Sequence, residues 1–113
     1  IIDALCGALN LGDIGQHFPN TPNNKNISSI ELLKKIMLLI PSNISIINID
    51  ASIVLNNPKI SKYKSKIISK LAPVLKISES QISIKGITSN GLSFLNMKNG
   101  WGAEVIISLK KWK

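Results

Sequence analysis

The chain contains no arginine. All 14 of its basic residues are lysine, set against 6 acidic ones, for a formal charge of +8 over 113 residues. It has one cysteine, Cys6, and one histidine, His17. A lone cysteine excludes an internal disulfide and fits a reducing compartment. On the apolar side of a helical pattern, Cys6 reads as a buried structural thiol rather than a nucleophile. A lone histidine leaves no His/Cys cluster with metal-ligand spacing, and beside Phe18 it reads as a loop side chain. No run of about eighteen apolar residues occurs, so no segment reads as a membrane-spanning helix. The basic–apolar–small-residue pattern of a secretory leader is not seen either. Neither a G-x-x-x-x-G-K-[ST] phosphate loop nor a serine–histidine–aspartate hydrolase pattern is found.

What is abundant is lysine, isoleucine and asparagine. A basic excess can draw in nucleic acid or a phosphorylated substrate. Here it comes with the residues that A+T-rich codons favour and without a recognised nucleic-acid module. Lys62, Lys64, Lys66, Lys70 and the closing Lys110-Lys111-Trp112-Lys113 are therefore expected to form a solvated face, with neither nucleic acid nor membrane as partner. The length fits one domain, near the small end of the usual range. The chain opens on Ile1 in mid-helix pattern, and we expect a partial chain. The expected setting is the cytoplasm.

Periodicity then places the elements. Ile1, Ile2, Leu5 and Ala8 recur at helical spacing, and Gly12 is expected to end that helix. A loop follows from Leu11 to Ile27, tipped by Asn23-Asn24-Lys25-Asn26. Ser28 and Glu31 have capping-box spacing, ahead of an apolar face of Leu32, Leu33, Ile36, Met37, Leu39 and Ile40 that ends at Pro41-Ser42-Asn43. Ile44 to Leu55 alternates as a strand, with Ile47, Ile49, Ala51, Ile53 and Leu55 on one side and Asn48, Asp50 and Ser52 on the other. A polar second face suggests a sheet that meets a ligand or another subunit. A helical pattern runs from Ile60 to about Leu75, with Pro73 expected to kink or end it near Lys70. Gln81 to Thr88 and Ala103 to Leu109 read as two more strands, separated by a loop from Ser89 to Asn99. The expected architecture is α+β, a mixed sheet with helices packed on one face.

The least propensity-driven stretch is Leu11-Gly12-Asp13-Ile14-Gly15-Gln16-His17-Phe18-Pro19-Asn20-Thr21-Pro22. Two readings fit its chemistry. It is either a helix stop followed by a surface loop, or a turn in which Gly12 and Gly15 admit a ligand while the Asp13 carboxylate meets vicinal hydroxyls. The wider pattern bears on the choice. Ile2-Asp3-Ala4-Leu5-Cys6-Gly7-Ala8, then Leu11-Gly12-Asp13-Ile14-Gly15 and Phe18-Pro19-Asn20-Thr21, resembles the D-A-L-x-G-A…L-G-D-I-G-x-x-F-P-D-T signature of the 2-C-methyl-D-erythritol 2,4-cyclodiphosphate synthases. Ile49-Asp50 with Pro58-Lys59 is a second match. Lys85-Gly86-Ile87-Thr88-Ser89-Asn90, with Gly91-Leu92-Ser93-Phe94, stands where that family has K-A-T-T-T-E-x-L-G-F. The likeness runs nearly gap-free to Leu109.

The resemblance implies a trimer-forming enzyme of the non-mevalonate isoprenoid route with its site between subunits. It cyclises 4-diphosphocytidyl-2-C-methyl-D-erythritol 2-phosphate and releases CMP. Asp13, Ile14 and Gly15 are then the ribose segment, and Phe18, Pro19, Asn20, Thr21 and Pro22 the loop over the methylerythritol part. Leu55, Asn56, Asn57, Pro58, Lys59, Ile60 and Ser61 form the cytosine pocket of the neighbouring subunit. Thr88, flanked by Ile87, Ser89 and Asn90, is the catalytic hydroxyl on the phosphates, with Phe94 and Met97 completing the set. Zinc and magnesium are implied as cofactors, the zinc ligands lying upstream of Ile1 in the family. Three positions depart from the pattern. Asn90 replaces a magnesium-binding glutamate, Asn20 replaces an aspartate, and Met97 replaces an arginine whose acidic partner corresponds to Glu104. These leave a decayed homologue that keeps cytidine binding or trimer formation as one alternative, and the basic charge leaves a small basic nucleic-acid-binding domain as another.

Overall fold

A single long strand carries the fold. In the computed structural model, which describes residues 1–19, 21, 27–55, 59–87 and 101–113, β1 (Ile44–Leu55) lies at the centre of a three-stranded sheet. Its isoleucine-rich, alternating sequence suits a pleated surface packed on one face. β2 (Ile82–Ile87) pairs with it in parallel, Ile49 opposite Ile82 through Val54 opposite Ile87. β3 (Trp101–Lys111) pairs antiparallel on the other edge, from Ile44 opposite Lys111 to Leu55 opposite Trp101. The helices are α1 (Ile2–Ala8), α2 (Ile14–His17), α3 (Ser29–Met37) and α4 (Lys64–Leu75), with 3-10 turns at Ile60–Lys62 and Glu79–Gln81. β1, α4 and β2 make one parallel crossover unit. This is the expected α+β architecture, and β1 has the bounds that its alternation gave it.

The core lies on one side of the sheet. Leu5 and Cys6 of α1, Leu33 and Ile36 of α3, and Ala72 and Leu75 of α4 pack with Ile46, Ile49 and Ala51 of β1 and Ile82 and Ile84 of β2. Burial pushes the pKa of the Cys6 thiol up, helped by the Asp3 and Asp13 carboxylates, so the thiol stays protonated and inert. The opposite face carries Asn48, Asp50, Ser52, Ser83, Lys85, Glu104 and Ile106 and is not covered by any described helix. On it Lys85 Nζ stands 2.9 Å from Asp50 Oδ1 and 3.2 Å from Oδ2.

Six local expectations need correction. Ile47 is not a core residue. A bulge lies between Ile46, opposite Leu109, and Asn48, opposite Ser108, so Ile47 is the extra residue and is exposed, while Ile46 is buried. Gln81 Nε2 donates to the carbonyls of Ile46 and Ile47, at 3.2 and 2.9 Å, and pins the bulge to the start of β2. Gln81 itself belongs to a 3-10 turn rather than to the strand.

α1 ends before Gly12. Asn10 takes the left-handed conformation (φ 55°), and the N–H groups of Asn10 and Leu11 close on the carbonyls of Gly7 and Cys6. This is a Schellman end with asparagine in the glycine role. Pro73 does not stop α4 near Lys70, because it lies in the last turn. It forfeits one donor there, while its own carbonyl and that of Ala72 still accept from Lys76 and Ile77. Leu39 is exposed, because α3 ends at Met37. Ser28 caps α3 by accepting from the Glu31 N–H at 3.2 Å, but the Glu31 carboxylate turns to Lys34 (3.1 Å) instead of completing the box. That exposed pair contributes little.

Candidate functional site

The Gly12–Phe18 stretch is a built turn, not a plain loop. Gly12 has φ 88°, a conformation that favours glycine. A Cβ there would also fall 1.6 Å from Gln16 Oε1. Asp13 is the N-cap of α2. Its Oδ1 accepts from the Gln16 N–H, and the Gln16 Oε1 accepts from the Asp13 N–H, each at 3.0 Å. This reciprocal box satisfies two backbone donors. Among the described residues, Asp13 Oδ2 has no partner and the side chain is exposed, so one carboxylate oxygen holds the turn and the other faces out. Gly15 is different from Gly12. It sits inside α2 with an ordinary φ, and an added Cβ would only touch Asp13 Oδ1 at 3.4 Å. The sharp turn thus needs Gly12 alone. Phe18 packs half-buried against the core, with Lys35 Nζ 6.0 Å from its ring centroid. The Pro19 carbonyl accepts from Thr21 N–H at 2.7 Å.

The second cluster forms where β1 and β2 end. Leu55 closes β1, Ile87 closes β2, and the turn through Lys59, Ile60 and Ser61 crosses between them. Together with Gly86 and Lys64 they line a cleft of about 250 Å³. A cleft outside the carboxyl ends of parallel strands is a recurrent place for ligands in sheets of this kind. Among the described residues no carboxylate lines it, while two lysines and the Ser61 hydroxyl do, so this part of the cleft suits an electron-rich or anionic ligand. A larger groove of about 530 Å³ between α3 and the end of α4 contains none of the motif residues. Size alone does not mark the site.

The structure therefore joins Leu55, Lys59, Ile60, Ser61 and Ile87, and organises Asp13, Ile14, Gly15, Phe18, Pro19 and Thr21 separately. None of the latter lines the cleft. Asn20, Pro22, Asn56, Asn57, Pro58, Thr88, Ser89, Asn90, Phe94 and Met97 lie outside the described residues. Sequence reasoning missed two lining residues. Lys64 falls in the lysine run expected to be solvated, yet it is half-buried while Lys62, Lys66 and Lys70 are exposed. Gly86 stands within the third motif, whose pattern gives it no role of its own. A Cβ on it would meet Ile60 Cγ2 at 2.3 Å. Since Ile60 is β-branched and stiff, Gly86→Val is expected to push Ile60 into the cleft. It should lower ligand affinity about tenfold and cost roughly 1–3 kcal/mol of stability through overpacking. Calorimetric titration beside urea unfolding checks both numbers.

Known proteins show the same arrangement of sequence. A model described as the YgbB family matches residues 1–110. The chain belongs to the YgbB family. Its relatives include the 2-C-methyl-D-erythritol 2,4-cyclodiphosphate synthase of Caldicellulosiruptor bescii, 44% identical over 109 residues that cover 95% of this chain and 69% of that protein. The synthase of the same name from Clostridium novyi is 48% identical over 96 residues, covering 83% and 61%. The chain thus spans about two thirds of the length of these YgbB relatives. Among solved structures, the CDP complex of IspF from Plasmodium falciparum matches with a TM-score of 0.85 at 36% identity, covering 99% of this chain and 68% of that one. The bifunctional IspDF of Campylobacter jejuni matches at 0.88 and 34%, covering 98% and 31%. The motif resemblance and the YgbB assignment agree.

YgbB membership makes a divalent metal the expected cofactor class. The described residues do not fit one, since they contain no group of three or more His, Cys, Asp or Glu side chains able to hold it. His17 Nε2 is also already engaged with the Leu11 carbonyl. Among the described residues no helix is long and apolar enough to cross a membrane.

Proposed function

We propose that this chain forms the nucleotide-gripping part of a cyclodiphosphate synthase, cyclising 4-diphosphocytidyl-2-C-methyl-D-erythritol 2-phosphate with release of CMP. The observation that carries this reading is the cleft at the ends of β1 and β2, where residues of two motifs far apart in sequence, Leu55 with Lys59, Ile60 and Ser61, and Gly86 with Ile87, converge. Backbone groups of 55–61 read the cytosine edge there, with Lys59 and Lys64 adding positive potential. Thr88, next in sequence after Ile87, is assigned the hydroxyl that donates to the phosphates, since a donor aimed at developing phosphoryl charge favours cyclisation. Asp13 Oδ2 and the Gly15 N–H take the ribose hydroxyls, and 18–22 lies over the methylerythritol part.

The turn at Asp13 lines no part of that cleft, so the reading assigns the two to different copies in a homotrimer. The uncovered sheet face supports such contact. Ile106 on it is 63% exposed, and Trp101, at the cleft end of β3, is 67% exposed, an apolar exposure that subunit contact would remove. Ile106→Ser is expected to weaken association about tenfold per copy, from the loss of roughly 1.5 kcal/mol of apolar burial. Sedimentation over a concentration series reads the shift toward monomer, and an unchanged assembly would count against this face.

Zinc and magnesium are the metals this reading proposes for the assembled enzyme. The cytoplasm is the proposed setting. The decisive assay follows CMP release from the substrate by the product of the complete reading frame, with and without zinc. Turnover establishes the enzyme. Silence in both conditions, with CDP still bound, favours the alternative of a cytidine-binding homologue that has lost catalysis, for which Asn20, Asn90 and Met97 are the sequence grounds.

A further inference from the structure

We propose that His17 is a positioning residue whose imidazole holds shut the turn that presents Asp13 and Gly15 to the nucleotide. The inference rests on the reading of that turn as the ribose contact. His17 Nε2 lies 2.6 Å from the Leu11 carbonyl oxygen, in a half-buried setting. A carbonyl only accepts, so Nε2 carries the proton and donates, which fixes the tautomer with Nδ1 bare in the neutral ring. The bond spans six residues, and the residues it encloses are Gly12, Asp13, Ile14, Gly15 and Gln16.

Both ends of the closure are anchored. Leu11 N–H donates to the Cys6 carbonyl at 2.8 Å, tying one end to α1, whose Cys6 is buried. On the other side, Phe18 N–H donates to the Ile14 carbonyl at 2.8 Å and the Phe18 ring packs against the core beneath Lys35. Between these anchors stand two glycines, the residue type with most backbone freedom to lose. The Asp13–Gln16 box fixes the start of α2 but makes no bond back to Leu11. His17 supplies that bond, so the outward Asp13 oxygen and the Gly15 N–H keep a preset spacing and a ligand need not order them on binding.

The test uses the product of the complete reading frame with CDP as probe, and compares His17→Ala, His17→Gln and His17→Asn by titration calorimetry, with urea midpoints in parallel. A glutamine amide nitrogen reaches about as far as Nε2, and an asparagine nitrogen only as far as Nδ1. His17→Ala and His17→Asn are expected to raise the Kd for CDP about five- to tenfold, the scale of one pre-organising hydrogen bond. His17→Gln should return it to within about twofold of the parent. Equal Kd values for the folded His17→Ala variant and the parent overturn the proposal. So does a glutamine variant no better than the asparagine one, because a purely structural role would not follow the reach of the donor. A parent protein that ignores CDP overturns the ribose reading and this inference with it, a result distinct from the other two.

Discussion

Asp13→Asn is expected to leave folding stability unchanged to within a few tenths of a kcal/mol while weakening cytidine nucleotide binding about 10- to 100-fold. The two halves of this expectation follow from the two oxygens of one carboxylate. Oδ1 caps α2 by accepting from Gln16 N–H, and asparagine caps a helix about as well as aspartate. Oδ2 is the outward acceptor. An amide nitrogen in its place cannot accept from a ribose hydroxyl, and a hydrogen bond to a charged group is worth roughly 1.5–3 kcal/mol. Asp13→Ala should add a loss of about 1 kcal/mol of stability, because the cap goes as well. Titration with CDP and urea unfolding separate the terms. If Asp13→Asn binds as tightly as the parent, the ribose assignment is wrong. The same substitution discriminates against a nucleic-acid role, since removing a negative charge would leave a purely electrostatic interaction unharmed or stronger.

Ile49→Ala should have the largest effect on folding. Ile49 has no exposed surface, lies in the central strand and is flanked by Ile82 on β2 and Ile107 on β3. Truncation removes three carbons where all three strands meet the helices, and a sheet held in register on both sides relaxes little into the space. A cost of about 3–4 kcal/mol is expected from lost transfer energy and the residual cavity. That is a large share of the stability of a domain this size. Equilibrium urea unfolding measures it, with an unchanged dependence on denaturant showing that the native state is otherwise intact. A loss below about 1 kcal/mol would mean that the core is not closed around this position.

The sequence carried the large features because they depend on repetition. Alternation over twelve residues placed β1 with its bounds, and helical spacing placed α1, α3 and α4. It failed where one residue's neighbours in space decide the outcome. The bulge at Ile47 depends on the register against β3 and on Gln81, 34 residues away. No local pattern contains that information, and one extra residue inverted the side assigned to Ile47. Asn10 and Lys76 end helices in the left-handed conformation that glycine usually supplies, so a rule that waits for glycine looks too far downstream. The site divided in the same way. Motif order pointed to Asp13 and to residues 55–61, of which Leu55, Lys59, Ile60 and Ser61 line the cleft. The α2 capping box was not foreseen, although Asp13 and Gln16 have the right spacing for it. Lys64 entered the cleft only once α4 had turned one lysine of an exposed run inward.

The account stands on the claim that the Asp13 turn of one copy and the cleft of another make a single site. Mixed oligomers test this most directly. Asp13→Asn and Gly86→Val subunits, each defective alone, are unfolded together, refolded as an equimolar mixture and titrated with CDP. If sites lie between copies, random mixing pairs an intact turn with an intact cleft at about a quarter of them, and that fraction should bind with parental affinity. Should each site belong to one chain, every site in the mixture carries a defect. No parental binding would then return, and that result would contradict the account.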